Sequence, residues 1–102
     1  TIEIVSIVSG STSINLTFNY TFVGVQHTGA TGTKLSINLP QGVTANNGST
    51  IKIKDVSGIF ASKPGLIKGY TGQTIDGNTE ILCQLNWMSL SLLYNNNNWY
   101  II

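Results

Sequence analysis

Apolar residues recur at every second position along this chain, and that spacing commits it to β-structure. Between Ser13 and Phe22, Ile14, Leu16, Phe18, Tyr20 and Phe22 fall on one side, and Ser13, Asn15, Thr17, Asn19 and Thr21 on the other. A strand turns successive side chains to opposite faces, so 13–22 reads as one half-buried strand. Leu35, Ile37 and Leu39 repeat the pattern until Pro40 ends it. Ile51 and Ile53 alternate with Lys52 and Lys54, which places both lysines in water. Leu90, Leu92 and Tyr94 alternate with Ser89, Ser91 and Leu93, and Thr1 to Ile4 also reads as strand. No segment repeats apolar residues at spacings of three and four over two turns, so no amphipathic helix is expected.

Turn residues fall where these strands must reverse. Ser9-Gly10-Ser11, the Gly/Thr loop Thr28 to Gly32, Asn46-Asn47-Gly48, Asp76-Gly77-Asn78 and the tetrad Asn95 to Asn98 are rich in residues that tolerate positive φ or bond their own backbone. The stretch Gly58 to Gly69, with Pro64-Gly65, is the least regular and is expected to cross between sheets. Short strands with turn signals every 8–12 residues or so point to an all-β fold. The expectation is an antiparallel β-sandwich or jelly roll of about eight strands, in a single domain over 1–102, with no internal repeat. Asn95 to Asn98, a four-residue loop, should join the last two strands as an antiparallel hairpin.

Charge narrows the function classes. The chain has five basic and four acidic residues, all five bases are lysines, and 41% of its residues are hydrophobic. Charged residues make up about 25% of an ordinary soluble protein. A nearly uncharged chain with scattered lysines has little field to draw nucleic acid or an acidic membrane surface, so neither partner is expected. No stretch approaches the ~18–20 apolar residues that cross a bilayer. No secretion leader is legible at Thr1, and a chain without an initiating Met reads as processed or cut from a longer one. Ser, Thr, Asn, Gln and Gly must supply the polar surface, which suits an extracellular or virion-surface β protein.

Residues able to carry chemistry are few. Cys83 is the only cysteine, so no intrachain disulfide is possible, and a buried, unreactive thiol is expected. The only histidine, His27, lies far from it in sequence, beside the Gly/Thr loop. Asp76 and Glu80 are close enough to be weighed as a glycosidase pair, but shaping a turn and facing solvent explain them better. Asp55 or Asp76 with backbone carbonyls is a sparse donor set for calcium, and neither metal nor cofactor is expected. No enzyme activity is expected, because no acid–base pair is evident. The sequons at Asn15, Asn19 and Asn47 arise readily by chance in a chain this rich in Asn and Thr. Trp87, Trp99, Tyr94 and Tyr100 crowd the last quarter, either as a sugar-stacking platform or, more simply, as core or subunit packing.

From Tyr20 onward a set of short motifs occurs in order: Thr28-Gly29, Leu35 to Pro40, Ile51 to Gly58, Thr74-Ile75-Asp76-Gly77 and Asn98-Trp99-Tyr100-Ile101-Ile102. In these the chain resembles a recurring β-sandwich module of viral fibre, tail and minor capsid proteins, of the C-terminal fibre-head type. The segment Leu82 to Met88 is more apolar than is usual there. The resemblance implies a virion-surface domain acting in host attachment, assembled as a homotrimer, with a host receptor or glycan as partner. The poorly alternating Trp87, Met88, Leu93, Trp99 and Tyr100 are the expected subunit interface, because alternation fails where both faces of a strand are buried. Thr28, Gly29 and Thr31, or Asn95, Asn96 and Asn97, are the expected receptor-facing loops. The alternative is a cell-surface carbohydrate-binding or adhesin β-sandwich.

Overall fold

The alternation of small polar and branched apolar residues is realised, among the described residues, as ten short strands. The computed structural model describes residues 5–102, with the side chain of Val5 excepted. The strand expected over Thr1 to Ile4 lies outside them. The strands are β1 (Val5–Gly10), β2 (Ser13–Asn15), β3 (Phe22–His27), β4 (Leu35–Asn38), β5 (Thr50–Asp55), β6 (Gly65–Lys68), β7 (Thr74–Ile75), β8 (Glu80–Cys83), β9 (Ser89–Asn95) and β10 (Asn98–Ile101). A 3₁₀ turn, Thr44–Asn46, precedes β5. No helix among the described residues is long and apolar enough to cross a membrane.

The strands form two sheets, one ordered β1-β3-β5-β9-β10-β7 and the other β2-β4-β6-β8. Ile14, Leu35, Ile37, Ile67 and Cys83 from the smaller sheet meet Val23, Val25, Ile51, Ile53, Ile75, Leu92, Tyr94 and Trp99 from the larger one. Burying each large apolar side chain contributes about 1.5–3 kcal/mol, so this shared layer is the dominant stabilising term. The β-sandwich architecture is therefore present.

The direction of the strands departs from expectation. β1 pairs with β3, β3 with β5, β2 with β4, β4 with β6, and β10 with β7, all in parallel. Antiparallel ladders join β5 to β9, β9 to β10, and β6 to β8. The connectivity is thus mixed, with ten strands in place of eight, and it is not that of an antiparallel jelly roll. The cause is topological. Through its first six strands the chain crosses from one sheet to the other at every corner, so each sheet receives every second strand. Parallel neighbours need a crossover connection, and here a strand of the opposite sheet serves as the crossover. Val23 stands against Ile53 and Ile37 against Ile67, a displacement of 30 positions in both sheets. Successive coils are stacked although their sequences show no repeat.

The same crossing divides the strand expected over 13–22. β2 stops at Asn15, the chain turns where Tyr20 N–H donates to Thr17 O (3.3 Å), and β3 begins at Phe22. Leu16 is buried and Phe18 and Tyr20 pack against the core, so the apolar period persists through a corner that has no ladder.

The C-terminal hairpin forms as expected, with Trp99 opposite Tyr94 and Tyr100 opposite Leu93. Its loop is shorter than four residues. Asn95 and Asn98 are paired in the ladder, and only Asn96 and Asn97 turn, with φ of 46° and 64°. Both central residues at positive φ define the two-residue turn that matches strand twist, and Asn tolerates it. Asp76 and Gly77 make a second such turn between Ile75 and Asn78, which exchange backbone hydrogen bonds of 2.6 and 2.9 Å. β10 lies between β9 and β7. β7 covers only Asn98 and Trp99, which leaves Tyr100 and Ile101 exposed.

Candidate functional site

Three loops converge beside the start of β5 and enclose a cleft of about 630 Å³. They are 41–44 after β4, 70–73 before β7, and the β9–β10 turn. Small-molecule sites occupy about 300–1,000 Å³, so the volume admits a ligand of one or two rings.

Gln73 fastens the loops together. It is 7% exposed, its Oε1 accepts from Gly42 N–H (2.9 Å), and its Nε2 donates to Gly42 O (2.7 Å). That reciprocal pair copies one rung of a ladder. Nε2 also reaches the Tyr94 hydroxyl (3.2 Å) and Asn97 Oδ1 (3.3 Å). A buried amide left unpaired costs about 1–3 kcal/mol, so these partners are a condition of burying Gln73 at all. The Tyr94 ring closes the floor and is 1% exposed. It stands edge-on to Trp99 at 5.2 Å and to Phe18 at 5.9 Å, while Phe18 stacks on Trp99 at 5.6 Å. Position 42 suits only glycine without rearrangement, because a Cβ there would lie 2.1 Å from Tyr94 Cζ.

The rim carries Tyr70, 45% exposed, and Val43, 55% exposed. Gln41, Thr44, Thr71, Asn96 and Asn97 supply amides and hydroxyls, and no lining residue is ionisable near neutral pH. Such a cleft offers hydrogen bonds and ring contact, and its own lining holds no group for acid–base chemistry.

The expected site residues are dispersed. Asn96 and Asn97 line the cleft, with half-buried Asn95 just outside it. Thr28, Gly29 and Thr31 lie at the opposite end of the sandwich. β3 runs parallel to β5 and β9 antiparallel to it, so the end of β3 and the end of β9 point apart. Gly32 N–H donates to Ser62 O there (2.8 Å), and the His27 ring accepts from Gly29 N–H (3.0 Å) while its Nε2 meets Thr33 O (2.7 Å).

Among the expected interface residues, Trp99 is 0% exposed and belongs to the core, and Met88 packs against that core. Leu93 and Tyr100 are cross-strand partners on the outer face of the larger sheet. Trp87 lies at the other end of β9, 58% exposed, with its indole over Gly58 and its carbonyl bonded by Lys54 Nζ. Its φ of 63° is unusual for so bulky a residue.

The acids are structural in their contacts. Asp55 is 0% exposed, and its carboxylate caps the turn that follows β5. Its Oδ1 accepts from Ser57 N–H (3.2 Å) and Gly58 N–H (2.9 Å), and its Oδ2 from Phe60 N–H (3.0 Å) and Trp87 N–H (3.1 Å). Asp76 Oδ1 accepts from Ile101 N–H (3.2 Å), and Glu80 is exposed at the start of β8. Cys83 is buried, and burial pushes its thiol up to about 11.

Sequence reasoning missed Gln73, Gly42 and Tyr70. Gly72 and Gly42 mark turns, but nothing in the order of residues brings 41–44, 70–73 and 94–97 together. Fold and cleft define a two-sheet β module with an uncharged polar site. No known protein family and no curated protein matches the chain.

Proposed function

We propose that this domain is a non-catalytic attachment module of the virion surface, a fibre-tip or capsid fibre head that holds a host surface. The observation that carries the reading is the cleft: concave, uncharged, and set rigidly at one end of the sandwich by a buried amide. The resemblance of the ordered motifs to fibre-head modules and the Ser/Thr/Asn-rich, charge-poor composition support the virion setting. Three copies would meet through the outer face of β9 and β10, where Leu93 opposes Tyr100 and Ile102 is 69% exposed. Closed cyclic symmetry buries such a face without leaving a fibre-forming patch. The reading includes no cofactor, no nucleic acid and no membrane insertion.

Competition for adsorption tests attachment. Excess purified domain should reduce adsorption of the parent particle to its host cells, and undiminished adsorption would count against the reading. Light scattering after size exclusion tests assembly, with a mass three times the 11.0 kDa chain expected. The second reading, a carbohydrate-binding adhesin, is favoured by the same amide-rich lining. A domain that stays monomeric at micromolar concentration and shows no competition would turn the choice toward it.

A further inference from the structure

Resting on the binding role just given to the cleft, we infer that its ligand is an uncharged sugar, with one pyranose face on Tyr70 and its hydroxyls on the amides of the β9–β10 turn. Three observations carry this. The first is the charge-free lining. A phosphate, carboxylate or ammonium group would lose its hydration there and find no counter-charge, whereas a hydroxyl exchanges water for amide at little cost. The second is Tyr70, an aromatic ring on the rim of a polar cleft and 45% exposed. A sugar presents an apolar face of C–H groups and a polar edge, and a ring beside amides matches both at once.

The third is an unspent donor. The Tyr94 hydroxyl accepts from Gln73 Nε2 (3.2 Å) and from Asn97 N–H (3.1 Å), so both of its accepting positions are used. Its own proton has no acceptor among the described residues' hydrogen bonds, although Tyr94 is 1% exposed and lines the cleft. A buried hydroxyl normally donates as well as accepts. A ligand oxygen on the cleft floor would complete it. Gln73 Oε1 and Gly42 O accept from each other's N–H groups, and neither receives the Tyr94 proton.

The test uses the whole domain, amide-resolved NMR, and the neutral methyl glycosides of glucose, galactose, mannose and N-acetylglucosamine. Methyl glucuronide serves as the charged counterpart. At least one neutral glycoside should give saturable shifts at Gly42, Asn96 and Asn97, and the glucuronide should bind at least fivefold more weakly. Tyr70→Ala, at an exposed position that leaves the core intact, should weaken binding at least tenfold. Tyr94→Phe keeps the ring and removes the hydroxyl with its bonds to Gln73 and Asn97, and should weaken binding at least fivefold while amide shifts outside Gly42, Gln73 and Asn97 stay unchanged. No saturable shift with any neutral glycoside overturns the inference, as does binding that survives Tyr70→Ala. Periodate oxidation of host glycans separates this from the attachment reading. Competition that persists on oxidised cells overturns the sugar and leaves attachment standing. Glycoside binding that depends on Tyr70 supports the sugar even where competition fails.

Discussion

Asn47 and Asn96 hold each other across 49 positions of sequence. Asn47 Nδ2 donates to Asn96 Oδ1 (3.0 Å), and Asn96 N–H donates to Asn47 Oδ1 (2.9 Å). The pair fixes the β9–β10 turn against the segment leading into β5, and so fixes one wall of the cleft. Neutral hydrogen bonds contribute about 0.5–1.5 kcal/mol each, less where water can replace them. Asn47→Ala should therefore cost about 1 kcal/mol and speed hydrogen exchange at the Asn96 amide. Unaltered exchange would mean that the turn holds its shape without Asn47.

Asp55 should be the most sensitive polar position in the chain. Its carboxylate serves four backbone N–H groups, and removing it strands those donors in the interior. Asp55→Ala should cost at least about 3 kcal/mol, since bonds to a charged acceptor contribute roughly 1.5–3 kcal/mol each. Asp55→Asn keeps one accepting oxygen and should fall between. Urea unfolding measures both, and a loss under about 1 kcal/mol for the alanine variant would show that water takes over the acceptor role.

Cys83 should label slowly in the folded state, because the thiolate is the reactive form and burial suppresses it. Its thiol is raised from 9.0 to about 11 by burial. A raised pKa in the folded state means a stabilising contribution that is complete below about 9 and lost as the pH climbs toward 11. Alkaline unfolding curves of the wild type and Cys83→Ala should therefore converge over that window. Rapid labelling at neutral pH would contradict the buried placement.

Trp99 carries an unpaired donor. Its Nε1 has no hydrogen-bond partner although the side chain is 0% exposed. An unsatisfied buried N–H costs about 1–3 kcal/mol, and a smaller ring leaves a cavity with a cost of similar size. Trp99→Phe should consequently change stability by less than about 2 kcal/mol, whereas Trp99→Ala should cost about 3–5 kcal/mol. A large loss in the phenylalanine variant would show that ring size outweighs the stranded donor.

Local order in the sequence carried the strands whose two faces differ. β4, β5 and β9 are legible because Leu35/Ile37, Ile51/Ile53 and Leu92/Tyr94 face the core while their neighbours face outward. Alternation has no direction, so it could not distinguish the parallel β3–β5 ladder from an antiparallel one. It also ran unbroken through the corner at 16–21, because Leu16, Phe18 and Tyr20 still reach the core from a chain that has left its sheet. Trp99 misled for a related reason. It belongs to an apolar run whose other members, Tyr100 and Ile101, are exposed, so the run could not show which residue turned inward. The cleft was illegible because Gln41, Gln73 and Asn97 look like ordinary loop residues until the fold assembles them.

The sheet order also sets a timetable for folding. Among the described residues, β9–β10 is the only ladder that joins strands adjacent in sequence. Hairpins of that kind close in about 1–10 μs, whereas pairings across long loops bring β proteins into the millisecond-to-second range. β5 can dock on β9, β3 on β5, and β1 only on β3. Assembly of this sheet should then run against the order of the sequence, from β9 and β10 toward β1. Pulse-labelled amides should gain protection in β9 and β10 before β1.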